Sequence, residues 1–182
     1  MSRKYKIRDQ RKLYFVSFSV VYWIDVFGRE EYRQVLLDSL NYCTRQKGLE
    51  VYAYCIMTNH VHLIVGSQQE PLQNILRDFK SYTSTQLRKA IQDNPQESRK
   101  DWMLWLMQRA GKKNGNNNDY QFWQQHNHPI ELNTNFLLQQ KLDYIHQNPV
   151  KAGFVSLPEA YTYSSATAYA GEPSLLDIML IV

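Results

Sequence analysis

The sequence predicts an α+β fold in which an antiparallel sheet carries helices on one face. Three observations predict it. Strand-length runs rich in β-branched and aromatic residues alternate with helical periodicities, in the order strand, helix, strand, strand, helix. The second and third strand runs are separated by only Thr58 and Asn59, so they read as an antiparallel hairpin. The 182 residues are 43% hydrophobic and 13% aromatic with seven Gly and six Pro, which suits one packed core without low-complexity bias.

Each element has its own signal. Leu13 to Tyr22 (LYFVSFSVVY) is a strand pattern with interleaved serines. In Arg29 to Gln46, Val35, Leu36, Leu40 and Cys43 recur near helical spacing, and Gly48 stands where a C-terminal cap belongs. Leu49 to Met57 and His60 to Gly66 are the hairpin strands. Leu72 to Asp93 is a long amphipathic helix with Ile75, Phe79, Leu87 and Ile91 on its apolar side. Asn94 to Arg99 is a polar break, and Asp101 to Arg109 is a short Trp-rich helix. Trp102 and Trp105 read as packed on the core, and Tyr14, Tyr22 and Tyr52 as sheet or core residues. Tyr120 to Trp123 reads as extended. Asn135 to Asn148 is a helix capped by Asn133 or Thr134 and stopped by Pro149. This order opens a ferredoxin-like (RRM-like) sandwich, the split β-α-β arrangement, with the other sheet face left to hold a site. No internal repeat or boundary divides residues 1–182. We read one domain, with a basic arm over 1–12, a mobile Asn-rich loop over 111–119 and an irregular tail over 160–182.

Composition narrows the partners. Lys plus Arg number 21 against 17 Asp plus Glu, a net charge of +4 that leans mildly toward polyanions. The two cysteines, Cys43 and Cys55, fit neither a disulfide framework nor a zinc knuckle, so the expectation is a reducing, cytoplasmic setting. No signal peptide or transmembrane segment is read.

The stretch YCIMTNHVHLIVGS, Tyr54 to Ser67, places His60 and His62 two residues apart in a strand, and so on one face. Two such imidazoles can converge on one ion or one phosphate. They can equally be half-exposed edge histidines. In NFLLQQKLDYIHQNPVKAGFV, Leu138, Leu142 and Ile145 form the buried stripe. At about 100° per residue, Tyr144 and Asn148 fall side by side off that stripe. A half-buried tyrosine and a helix-stopping asparagine explain the same pair.

Together, NHVHLIV and the later YIHQNPVKAGFV resemble the single-tyrosine HUH transposases, closest to the REP-associated tyrosine transposase branch. FKSYTSTQLRK, FWQQHNHPIEL and YSSATAYAG extend the resemblance over most of the chain, from the first strand to about Ala170. It implies a ferredoxin-like core with the tyrosine helix packed near the His-x-His strand, and a divalent metal between them. His60 and His62 match the metal-binding pair, Tyr144 the nucleophile and Asn148 a third ligand. The loop Gly111–Asp119 and the segment Asn127-His128-Pro129 depart from the family pattern, but outside this core.

The implied chemistry suits these residue types. A divalent ion bound to a phosphodiester offsets the charge that repels nucleophiles. A mixed set of imidazole and amide oxygen suits Mg²⁺ or Mn²⁺. Tyrosine then attacks as a covalent nucleophile, giving a 5′-phosphotyrosine and a free 3′-hydroxyl, with the bond energy kept for rejoining. The expected substrate is single-stranded or hairpin DNA in a bacterial, nucleoid-associated setting, with a homodimer an option. The base for the tyrosine is left open between a bound water and His146. Arg77, Lys80, Ser81, Ser84, Arg88 and Lys89 on the long helix, and His128, are candidate DNA contacts or a solvated polar face. Arg3 to Lys12 tracks the DNA backbone or forms a free arm. The second His-x-His, His126 and His128, is too polar in its flanks for a clean strand pair. Two rival readings remain at this stage. One is a domesticated hairpin-DNA binder that does not cut. The other is a metal-dependent hydrolase, which lacks an HExxH-type partner.

Overall fold

The computed structural model describes residue 7 and residues 9–115, 119–125 and 127–181. Most of the basic arm, the middle of the Asn-rich loop and His126 therefore lie outside the described residues. The strands are β1 (Tyr14–Ser19), β2 (Leu49–Ile56), β3 (His60–Ser67) and β4 (Ile130–Glu131). The helices are α1 (Glu30–Lys47), α2 (Leu72–Asp93), α3 (Lys100–Lys112), α4 (Asn135–Lys151) and α5 (Ala166–Tyr169). The sheet runs β2-β3-β1-β4 with every neighbouring pair antiparallel. This is the split β-α-β order that the sequence pattern implied.

Two apolar layers hold the sheet. On one face, Val16, Phe18, Val61, Leu63 and Val65 pack with Leu36 and Leu40 of α1, Ile75 and Phe79 of α2, and Met103 and Met107 of α3. On the other, Phe15, Ala53, Cys55 and Ile64 meet Leu142 and Ile145 of α4. Burying each such side chain contributes about 1.5–3 kcal/mol. A register shift between Val51 and Ala53 in β2 changes which parity faces which layer. Without it, Tyr54 and Ile56 could not join Val51 under the helices. Cys43 and Cys55 are both free and buried, in different layers.

Local chemistry fixes the helix ends. Glu30 and Glu31 open α1, Arg45 and Lys47 close it, and Gly48 takes φ +70° as its cap. A Cβ at Gly48 would come within 2.6 Å of the Gln69 side chain, so the position demands glycine twice over. Thr134 caps α4 by accepting from the Leu137 N–H at 3.2 Å. Pro149 does not stop this helix. The helix runs on to Lys151, and Gly153 at φ +77° ends it. The Phe154 N–H donates to Pro149 O and the Gly153 N–H to Val150 O, a Schellman motif.

Several expectations are corrected. β1 ends at Ser19, and the chain then turns through Tyr22 and Trp23, both with positive φ (54° and 55°). Tyr22 is therefore 46% exposed and not a sheet residue. Each left-handed non-glycine residue costs on the order of 1–2 kcal/mol. Trp102 and Trp105 are exposed because α3 turns Met103, Met107 and Ala110 inward, and this stripe leaves both indoles outside. The polar break holds a buried carboxylate, Glu97, bonded by Arg29 and Arg99. The tail is ordered against β2: the Ile56 N–H donates to Tyr163 O and the Ser165 N–H to Tyr54 O. Among the described residues, no helix is long and apolar enough to cross a membrane.

Candidate active site

β3 sets the histidines. His60 opposes Ser19 and His62 opposes Ser17 across the β1–β3 ladder. The period-two alternation puts both imidazoles on the α4 face, with ring centroids 4.7 Å apart. α4 lies over that face, with Leu142 and Ile145 packed onto the sheet. This seating carries Tyr144 to the pair, its ring 5.1 Å from that of His62 and edge-on to it. Tyr144 remains 40% exposed, so a substrate can reach it. One turn on, the Asn148 side chain interacts with the His60 ring. The structure thus brings together all four residues that the sequence singled out on these two elements.

The ring nitrogens are arranged for ligation. Asn59 Oδ1 lies 2.7 Å from His60 Nδ1. An amide oxygen only accepts, so Nδ1 carries the proton and the Nε2 lone pair is left over. Ser17 Oγ lies 2.6 Å from His62 Nδ1. His62 Nε2 is buried and has no hydrogen-bond partner. Burial pushes the His62 pKa down to about 3, with His60 and the Lys141 charge adding to the effect. Burial also lowers His60, and Asn148 partly offsets it. Both rings are neutral at pH 7, the form that binds a cation. An orphaned buried nitrogen on His62, the neutral His60 ring and the Asn148 amide beside it fit a divalent ion such as Mg²⁺ or Mn²⁺. Among the described residues, no three His, Cys, Asp or Glu side chains cluster to hold one elsewhere.

Several site residues escaped the sequence reading. Phe15 stacks on His62 at 5.5 Å and meets the Tyr144 ring at 5.9 Å. Lys141 Nζ stands 4.9 Å from the Phe15 ring centre and 5.5 Å from that of Tyr144. Its i, i+3 spacing to Tyr144 was a usable signal. Ser17 was also legible, as a polar residue alternating with Val16 and Phe18 on a neighbouring strand. Asn59 was read only as a turn residue.

The other candidates lie elsewhere. α2 packs on the opposite sheet face, which separates its polar residues from the histidines. Arg77 pairs with Asp78, while Ser81 and Lys89 are exposed and Ser84 is half-buried. Lys80 is half-buried, with Nζ bonded to Gln124 O and Asn127 Oδ1, and burial lowers its pKa to about 8. The Arg88 guanidinium lies over the Tyr120 ring at 4.4 Å. His128 is exposed at φ +42°, next to Asn127, whose carbonyl accepts from the Ser17 N–H. His146 Nε2 is bonded to Ser165 Oγ at 2.9 Å and its ring packs on Tyr169. Those contacts hold the ring against the C-terminal tail.

Known proteins place this arrangement in context. A comparison with curated protein sequences finds no match. Among solved structures, the chain is similar to a REP-associated tyrosine transposase bound to a REP hairpin, with a TM-score of 0.65 and 16% identity over 98% of this chain and 94% of that one. This likeness is one of fold. A chain from Deinococcus radiodurans R1, proposed to be a transposase, aligns over 49% of this chain and 68% of its own at 23% identity. Its TM-score of 0.38 is too low to weigh. The family model described as transposase, IS200-like, matches residues 13–109, from β1 to α3 and including both histidines. That match spans more than half of the sequence, and the chain belongs to the IS200-like transposase family.

Proposed function

We propose that this chain cuts and rejoins one strand of DNA, taken as a single strand or a hairpin, through a covalent phosphotyrosine at Tyr144. The observation that carries the reading is the Tyr144 ring standing 5.1 Å from His62, whose Nε2 is buried and unpartnered. Family membership supports the transposase reaction. The hairpin bound by the structurally similar transposase supports the choice of substrate.

His60, His62 and Asn148 would hold a divalent ion, Mg²⁺ or Mn²⁺. When bound, such an ion offsets phosphate charge and polarises the phosphorus. The chain's own residues do the rest. The Tyr144 oxygen forms a bond to phosphorus as the bond from phosphorus to the 3′ oxygen breaks. The phenol proton is lost, and one is gained by the departing 3′-hydroxyl. The fragment 3′ of the cut stays on Tyr144 through its 5′ phosphate until a second 3′-hydroxyl attacks, reversing the step and returning a proton to the phenol. Lys141 holds positive charge beside Tyr144, where the phenolate and phosphate concentrate negative charge. His146 is held by Ser165 and Tyr169 and takes no part as a base. The pairing of Tyr144 with His62 within one chain supports use of the tyrosine in cis.

The test is to incubate the protein and Mn²⁺ with labelled single strands and hairpins, then map any covalent adduct by peptide mass spectrometry. The reading requires an adduct on the peptide containing Tyr144. DNA binding without any adduct would favour a hairpin binder.

A further inference from the structure

Tyr22 and Trp23 have no role in the reaction above, yet the fold expends conformational strain on them. Both adopt left-handed backbone, at φ 54° and 55°, where glycine or asparagine is the usual occupant. Neither ring is buried: Tyr22 is 46% and Trp23 57% exposed. The strain is imposed from both sides. Val20, Val21 and Ile24 are buried and fix the ends of the turn. The Val21 N–H donates to Phe122 O at 2.8 Å, the Trp23 N–H to Val20 O at 3.1 Å, and the Ile24 N–H to Val21 O at 3.3 Å. Well-anchored neighbours thus hold two aromatic rings out into water.

The position of the turn says what those rings face. The Trp23 ring stands edge-on to His60, 6.0 Å between centroids. Asn59 ties the two together, with Oδ1 on His60 Nδ1 and Nδ2 donating to Trp23 O at 3.3 Å. Trp23 therefore stands beside any phosphate that the histidines would hold. Tyr22 borders an open cavity of about 440 Å³ whose lining includes Lys113, Gln121 and Gln124. The two glutamine amides are turned inward, Gln121 Nε2 to Trp123 O and Gln124 Nε2 to Val20 O. The lining also includes Asn114 and Gln125, and it presents the Tyr22 ring beside the Lys113 ammonium. An aromatic face beside a lysine can grip a base and a phosphate.

We propose that Tyr22 and Trp23 form a stacking platform for unpaired nucleotides next to the phosphate at His60 and His62. The platform rests on the DNA-cutting reading above, and it makes the preferred substrate a strand that is unpaired beside the cleaved bond.

The test uses the full chain carrying Tyr144→Phe, with EDTA present, so that binding is read without cleavage. The probes are a labelled DNA hairpin with a short unpaired extension, the same hairpin without it, and one whose extension is abasic. Base stacking of about 1–3 kcal/mol corresponds to roughly 5- to 150-fold in affinity. Adding Trp23→Gly should weaken the extended hairpin by about that factor and leave the blunt hairpin unchanged. The abasic extension should bind parent and variant alike. Trp23→Phe should keep most of the affinity. Because glycine suits the left-handed position, Trp23→Gly should hold or raise Tm. Unchanged affinity of Trp23→Gly for the extended hairpin overturns the platform. So does a fall in Tm that comes with equal losses for both hairpins, since the ring would then be a packing element. Self-association of the chain that Trp23→Gly abolishes, with no effect of unpaired DNA, would make the turn a protein interface and overturn it as well. If the Tyr144→Phe chain bound no DNA at all, the DNA reading beneath the platform would fall, and the platform with it.

Discussion

The ring of His62 stands edge-on to that of Tyr144 at 5.1 Å, although one residue lies on a central strand and the other on the helix that closes the far face of the sheet. Core packing sets this distance. Leu142 and Ile145, flanking Tyr144 in sequence, are buried against Phe15, Cys55 and Ile64. The tyrosine is therefore carried on the same packed layer that carries the histidines.

Ser17 should matter through His62. Its Oγ lies 2.6 Å from Nδ1 and orients the ring so that Nε2 faces the site. Ser17→Ala is expected to weaken Mn²⁺ binding by roughly 10-fold, the low end for loss of a ligand's supporting hydrogen bond. Titration calorimetry with Mn²⁺ checks this. An unchanged affinity would remove His62 from the ligand set or Ser17 from its support.

Lys141 should matter through charge. Lys141→Met keeps much of the apolar stem over Phe15 and Tyr144 while removing the ammonium. Single-turnover cleavage is expected to slow about 10-fold, or about 1.4 kcal/mol of barrier. Helix content should be unchanged. A variant that cuts at the parent rate would show the cation to be a bystander.

Asn148→Ala separates a ligand from a helix stop. Alanine is the better helix former, and the Gly153 cap still ends α4, so the fold should persist. Cleavage should fall and recover in part as Mn²⁺ is raised. Parent-like cleavage across the whole Mn²⁺ range would take Asn148 out of the site.

The fold should lose stability in mild acid. Burial pushes the His146 pKa down to about 4, against an opposing pull from Asp143. The unfolded chain takes up this proton near pH 6.5, the folded chain only near 4. Stability is thus full above pH 6.5 and is lost as pH falls toward 4, by up to ~3 kcal/mol for this group. His62, lowered to about 3, acts in the same direction. His146→Gln, which can keep the bond to Ser165, should flatten the pH dependence of the urea midpoint between 6.5 and 4. An equally steep profile would contradict the buried-neutral account.

Much of this site was legible because it depends on short-range periodicity. The i, i+2 spacing of His60 and His62 fixed their common face, and the i, i+4 spacing of Tyr144 and Asn148 fixed theirs. The apolar stripe of α2 marked both of its ends, Leu72 and Asp93. What escaped depends on tertiary contact. Pro149 suggested a stop because it lacks an N–H, but in the last turn that loss is small and the Gly153 cap decides the end. Tyr22 looked like a strand residue until the anchors at Val20 and Ile24 forced the turn. Glu97 sat in a polar break by composition, and Arg29 and Tyr32, distant in sequence, together with Arg99 make its burial tolerable. β4 is two residues long and has no period to read.

The most direct test of the account is Tyr144→Phe, which removes one oxygen and keeps the ring that packs on Phe15 and His62. The parent and the variant would be mixed with labelled hairpin DNA and Mn²⁺, and each sample split between a native gel and a denaturing one. The account predicts that both proteins shift the hairpin under native conditions and that only the parent leaves label covalently attached after denaturation. Covalent label on the Tyr144→Phe protein at the parent's level would contradict it.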